Sequence, residues 1–121
     1  MAKSVLDVGQ CMVDGPRLEA MLEDLGCEVS SADSIDEALE QLTSRDFDLC
    51  LINRELAFER TRGLDLIAAA KEAGVRTPIM LVSDKPDAQK KAVELGALPG
   101  FGKSKLDDES TLDLIRKALG A

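Results

Sequence analysis

Three observations predict an α/β domain built on a parallel sheet. Five short apolar runs alternate with segments whose apolar residues recur at helical spacing. The runs at 49–52 and 79–82 are apolar without alternation, as expected of strands covered by helices on both faces. Glycine or proline punctuates most junctions, so the connections are short and the crossovers right-handed.

Val5-Leu6-Asp7-Val8 forms the first strand and stops at Gly9. Asp14-Gly15-Pro16 then supplies an N-cap with proline near the first helical position, and Leu18, Met21, Leu22 and Leu25 make one stripe closed by Gly26. The second strand is Cys27 to Ser30. Ser34-Ile35-Asp36-Glu37 has the capping-box form, and Ala38, Leu39 and Leu42 continue as the buried face of the second helix until the turn at Arg45-Asp46. Leu49 to Ile52 should be the central strand, with Asn53 at its mouth. After a polar loop from Arg54 to Arg62, Gly63 opens a third helix carrying Leu64, Ile67 and Ala68, which Gly74 ends before Thr77-Pro78. Ile79 to Val82 is the fourth strand. Pro86 starts a fourth helix with a thin apolar face of Ala88, Ala92 and Leu95, stopped by Gly96. Leu98 to Gly102 is the fifth strand, and Pro99, Gly100 and Gly102 assign it to a sheet edge. Asp107 to Ser110 load the N-terminal turns of a last helix with negative charge, and Leu112, Ile115 and Leu119 form its stripe.

At 121 residues, positions 1–121 form a single domain. Fifteen Lys and Arg against 23 Asp and Glu give a net charge of −8, which opposes a phosphate backbone and offers no basic membrane patch, so neither direct nucleic-acid binding nor membrane attachment is expected. With no signal-like or spanning stretch, the expected location is cytoplasmic. Cys11, Cys27 and Cys50 show no CxxC spacing, and the chain has no histidine, so a zinc site is unexpected and the usual general base is missing. These features speak against an enzyme, and no cofactor, catalytic residue or metal ligand is assigned.

In a parallel α/β sheet, ligands sit at the carboxyl ends of the strands. The residues there are Gly9 and Gln10, Asn53, Ser83 and Asp84, and Gly102 and Lys103. With these positions, the segments Leu25-Gly26-Cys27-Glu28-Val29, Gly63-Leu64-Asp65-Leu66-Ile67, Thr77-Pro78-Ile79 and Glu94-Leu95-Gly96-Ala97 make the chain resemble the receiver domain of bacterial two-component response regulators, from about Ser4 to Leu119. The resemblance implies a flavodoxin-like sheet of order 2-1-3-4-5 flanked by five helices. It also implies that working members carry two acidic residues after the first strand, an Asp after the third, a Ser or Thr after the fourth and a Lys after the fifth. Here the acidic pair corresponds to Gly9 and Gln10 and the phosphoacceptor to Asn53, while Ser83 and Lys103 remain. The aromatic switch position corresponds to Gly100, and the Pro after the Lys to Ser104.

Replacing those carboxylates by Gly, Gln and Asn removes the hard oxygen ligands that Mg²⁺ requires, and an amide at position 53 is no phosphoryl acceptor. Lys103 loses its usual partner, and Asp84 is the expected replacement, blocking the pocket while pairing the ammonium. Phe101 should point away from the face that Gly100 occupies. Asp7, inside a covered strand, is expected to make a structural hydrogen bond or ion pair. Cys11 is read as a packing residue. Arg54, Arg60 and Arg62 are a candidate anion-binding set, although a solvated loop is the plainer reading.

The expected function is therefore that of a degenerate, phosphorylation-independent receiver, or pseudo-receiver, acting as a protein–protein interaction module in bacterial signal transduction. By the resemblance, its surface for an output protein or a second copy is the fourth helix, fifth strand and fifth helix. The alternative is a sensor of a small anion or nucleotide, such as a cyclic dinucleotide, bound in the altered pocket or by the arginine loop. The chain is also compatible with being one domain of a longer protein.

Overall fold

The computed structural model describes residues 2–10, 14–54, 62–106 and 108–120. Its strands are β1 (Lys3–Val8), β2 (Cys27–Ala32), β3 (Leu49–Asn53), β4 (Ile79–Val82) and β5 (Leu98–Phe101). Its helices are α1 (Asp14–Asp24), α2 (Ile35–Ser44), α3 (Gly63–Glu72), α4 (Pro86–Glu94) and α5 (Glu109–Ala118). All strand pairs are parallel and the order is β2-β1-β3-β4-β5, as the sequence led us to expect.

The unalternating runs divide their side chains between two cores. Leu6, Val8, Cys50, Ile52 and Leu81 pack with Ala38 and Leu42 of α2, Leu66 and Ile67 of α3, and Ala92 of α4. On the opposite face Val5, Leu49, Leu51, Met80 and Val82 pack with Leu18 and Leu22 of α1 and Ile115 of α5. Each fully buried Leu or Ile contributes about 1.5–3 kcal/mol relative to exposure, so β3, buried along its whole length, is the axis of the domain.

Local chemistry sets the element ends. Ser34 Oγ accepts from Glu37 N at 3.0 Å, the first half of the expected capping box. The helix α1 starts at Asp14 itself, the residue expected to cap it. Between β5 and α5 the sequence reading missed a short 3-10 helix, Lys103–Lys105, so that α5 begins only at Glu109.

The edge strand β5 is irregular. Met80 pairs with Leu98 but Val82 with Phe101, so β5 carries one more residue than β4 across this stretch and the ladder breaks. Gly100 lies so close to the Leu81 carbonyl that a Cβ would collide with it. The broken ladder is replaced by one side chain. Gln89 of α4 donates the two Nε2 hydrogens to the carbonyls of Leu81 at 2.8 Å and Ser83 at 3.1 Å, with Phe101 O at 3.3 Å sharing one of them. Its Oε1 accepts from Gly100 N at 3.1 Å. A thin apolar face on α4 suggested a loosely held helix, but this polar clamp compensates for the small hydrophobic contact.

Gln89→Ala removes these bonds from partly buried backbone groups, although Phe101 O keeps its bond from Ser83 N. Urea unfolding should show a loss of about 2–3 kcal/mol, and Gln89→Leu should not restore it.

Candidate functional site

The carboxyl ends of β1, β3 and β4 bring Gly9, Gln10, Asn53 and Ser83 to one end of the sheet, all of them buried. Gly9 has φ 69°, in the left-handed region that side chains disfavour, and donates its N–H to Ala32 O at 2.9 Å. Its carbonyl accepts from Asn53 Nδ2 at 3.2 Å. The Asn53 side chain is thus turned as a donor into the neighbouring strand end. Ser83 Oγ accepts from Lys85 N at 3.1 Å, and Ser83 N donates to Phe101 O at 2.9 Å. Both hydrogen bonds are structural.

The expected Asp84–Lys103 pair does not form. Lys103 opens the 3-10 helix and its Nζ lies 3.4 Å from Asp14 Oδ2, at the start of α1. With one third of the lysine side chain exposed, the premise of a buried ammonium also fails. Asp84 is exposed and accepts from Ser104 Oγ at 2.6 Å and from Ser104 N at 3.3 Å. Its carboxylate lies over Gly102, where a Cβ would collide with it, and it ties the loop after β4 to the loop after β5 instead of plugging the pocket. The 3-10 turn causes both changes, by swinging Lys103 toward α1 and presenting the Ser104 N–H and hydroxyl to Asp84.

The expected pairing of Asp7 is incomplete. It is 3% exposed, and its Oδ1 has no hydrogen-bond partner. Burial pushes its carboxyl up to about 7; the nearby Gln10 amide offsets part of this, and the Glu19 charge adds to it. Gln10 itself is buried with neither amide atom hydrogen-bonded. Cys27 and Cys50 are free and buried, and burial raises both thiols, so neither is an activated nucleophile. Cys11 lies outside the described residues.

The donors at the strand ends do not fit a divalent cation. Gly9 and Gln10 offer no carboxylate, Asn53 directs an N–H at Gly9, and among the described residues no cluster of three acidic or cysteine side chains forms.

The model of the response regulator receiver domain matches residues 16–115. This chain belongs to the response regulator receiver family. Among solved structures it is similar to the signal receiver domain of an HD domain-containing protein from Pseudomonas fluorescens Pf-5, with 27% identity, TM-score 0.83, and coverage of 98% of this chain and 88% of that one. It is similar in fold to the chemotaxis response regulator CheY4 of Vibrio cholerae, with 20% identity and TM-score 0.75 over 98% and 99% of the two chains. Against NtrX from Brucella abortus, identity is 22% and TM-score 0.79, and 99% of this chain spans 27% of that one. No curated protein sequence matches it.

Receivers are signalling modules, and in this receiver Gly100 donates its N–H to Gln89 Oε1 at 3.1 Å. Phe101 points into the opposite core, buried with Leu106 and Ile115. Of the arginine set, Arg54 and Arg62 line one cavity together with Lys85, whereas Arg60 lies outside the described residues. Lys85 was missed because it is remote from the arginine loop in sequence. Gln89 was missed because a polar residue beside Ala88 reads as a solvated position.

Because the native state holds the Asp7 proton more tightly than the unfolded chain does, Asp7 lowers stability as pH rises from about 4 through about 7, by up to about 1.4 kcal/mol per pH unit. Asp7→Asn should raise the melting temperature much more at pH 8 than at pH 5; an equal rise at both would show that Asp7 does not titrate in this range.

Proposed function

We propose that this receiver works without aspartyl phosphorylation, as a pseudo-receiver that signals through protein–protein contact and carries out no catalysis. The observation that carries this reading is the Asn53 Nδ2 donation to the Gly9 carbonyl at 3.2 Å. A phosphoacceptor must present a free carboxylate oxygen to the incoming phosphorus beside a bound metal. Here the position is an amide, used as a donor, beside residues that offer no metal-binding charge.

The output side supports the same reading. Coupling through an aromatic rotamer requires a side chain at position 100, and the Leu81 carbonyl leaves no space for one. The four Gln89 hydrogen bonds hold α4 on the strand instead. The surface of α4, β5 and α5 is then a fixed shape for an output protein or a second copy, with Val93 and Leu98 exposed on it. As a single module of residues 1–121, the domain is suited to act alone or joined to an output domain.

Incubation with acetyl phosphate and Mg²⁺ should leave the intact mass unchanged. Asn53→Asp alone should remain unmodified because Gly9 and Gln10 still bind no metal. A phosphoryl adduct on the wild-type chain would overturn the proposal.

A further inference from the structure

Three of the 15 Lys and Arg residues of this acidic domain meet at one cavity beside helix N-termini, where helix physics disfavours cations. Arg54, Arg62 and Lys85 line a cavity of about 460 Å³ between the N-termini of α3 and α4, with Leu64, Pro86 and Ala88 as an apolar wall and Asp87 as a carboxylate. Arg62 and Lys85 are the N-cap residues of these two helices, and neither side chain caps its helix. Ser, Thr, Asp or Asn is preferred at an N-cap, and a cation there opposes the positive end of the helix dipole. The helix α2 of the same chain follows the preference, with Ser34 as its cap and Asp36 and Glu37 in its first turn. At α3 and α4 the N-cap cations oppose the helix dipole while one first-turn acid each, Asp65 and Asp87, favours it, and an anion between the cations adds to the favourable side.

We propose that this cavity binds a phosphomonoester the size of a nucleoside monophosphate. The phosphate would lie among Arg54, Arg62 and Lys85, where two guanidinium groups and an ammonium answer its charge. A volume of about 460 Å³ is much larger than a phosphate requires and is within the range of small-molecule sites. Leu64, Pro86 and Ala88 face the organic body, and Asp87 accepts from a hydroxyl or amino group on it. A carboxylate in the lining favours a ligand that also donates hydrogen bonds over inorganic phosphate alone.

The site is separate from the altered phosphorylation pocket, since neither Asn53 nor Ser83 lines it, and it does not depend on the preceding proposal. It is coupled to the strand ends all the same. Arg54 follows Asn53 directly, the Lys85 N–H bonds to Ser83 Oγ, and Gln89 lies in the first turn of α4 after Pro86. Occupancy would stabilise the docking of α4.

The test is titration of adenosine and guanosine 5′-monophosphate, and separately inorganic phosphate, into the isotopically labelled domain, followed by amide chemical shifts and thermal unfolding. Saturable shifts at Leu64, Asp87 and Ala88 are expected, with at least one nucleotide binding about tenfold more tightly than phosphate. Arg62→Ala and Lys85→Ala should each weaken binding about tenfold. Both side chains are exposed, so the variants should fold, and relief of the helix-end repulsion should leave the melting temperature of the free domain equal or higher. The proposal is overturned by the absence of saturable shifts up to about 10 mM nucleotide. Binding unchanged in the Arg62→Ala/Lys85→Ala double variant, or shifts confined to Gly9, Asn53 and Ser83, would overturn it equally.

Discussion

The parallel pairing of β1 with β3 at the centre of the sheet is the constraint on which the rest of this domain depends. Its register joins Val5 to Leu49 and Val8 to Ile52. Because β3 is buried on both faces, a slip of one residue would exchange the two cores, and the pairing is held strictly. The register delivers Gly9 and Asn53 to adjacent strand ends, where the amide of one reaches the carbonyl of the other. In a member with carboxylates at these positions the same geometry would concentrate negative charge around a metal. Here it makes a hydrogen bond between the Asn53 amide and the Gly9 carbonyl.

A second consequence appears at the far side of the sheet. The additional residue in β5 deprives the β4–β5 ladder of regular hydrogen bonds, and Gly100 permits the close approach to Leu81 that follows. Both would weaken the edge were it not for Gln89, whose single amide engages four backbone groups on the two strands and at the end of β4. The Asn53 amide at one end and the fixed helix–strand junction at the other are both consistent with the proposed function.

Sequence patterning made the architecture legible because it depends on periodicity. The continuous apolar run 79–82 marked β4 to the residue, and the Pro and Gly content of 99–102 correctly sent β5 to an edge. Strand-end positions followed from the topology, so Gly9, Asn53 and Ser83 were found. Partner choice was not legible, because it depends on where short turns aim side chains. The 3-10 helix at Lys103–Lys105 directs Lys103 to Asp14 and leaves Ser104 to Asp84, which reversed the expected pairing. The Gln89 clamp and the meeting of Lys85 with the arginine loop join residues distant in sequence, and no local signal marks them. Asp7 was recognised as costly, but its unpartnered Oδ1 depends on three-dimensional packing.

The central claim is that the junction of α4 with β5 has one conformation and no switch. Native-state hydrogen exchange of the Gly100 amide, which donates to Gln89 Oε1, measures this most directly. The amide is expected to exchange only by global unfolding, at the same free energy as β3, with no millisecond line broadening along α4. Exchange through a local opening of much lower free energy, with broadening confined to α4 and β5, would contradict it and show that this receiver still switches.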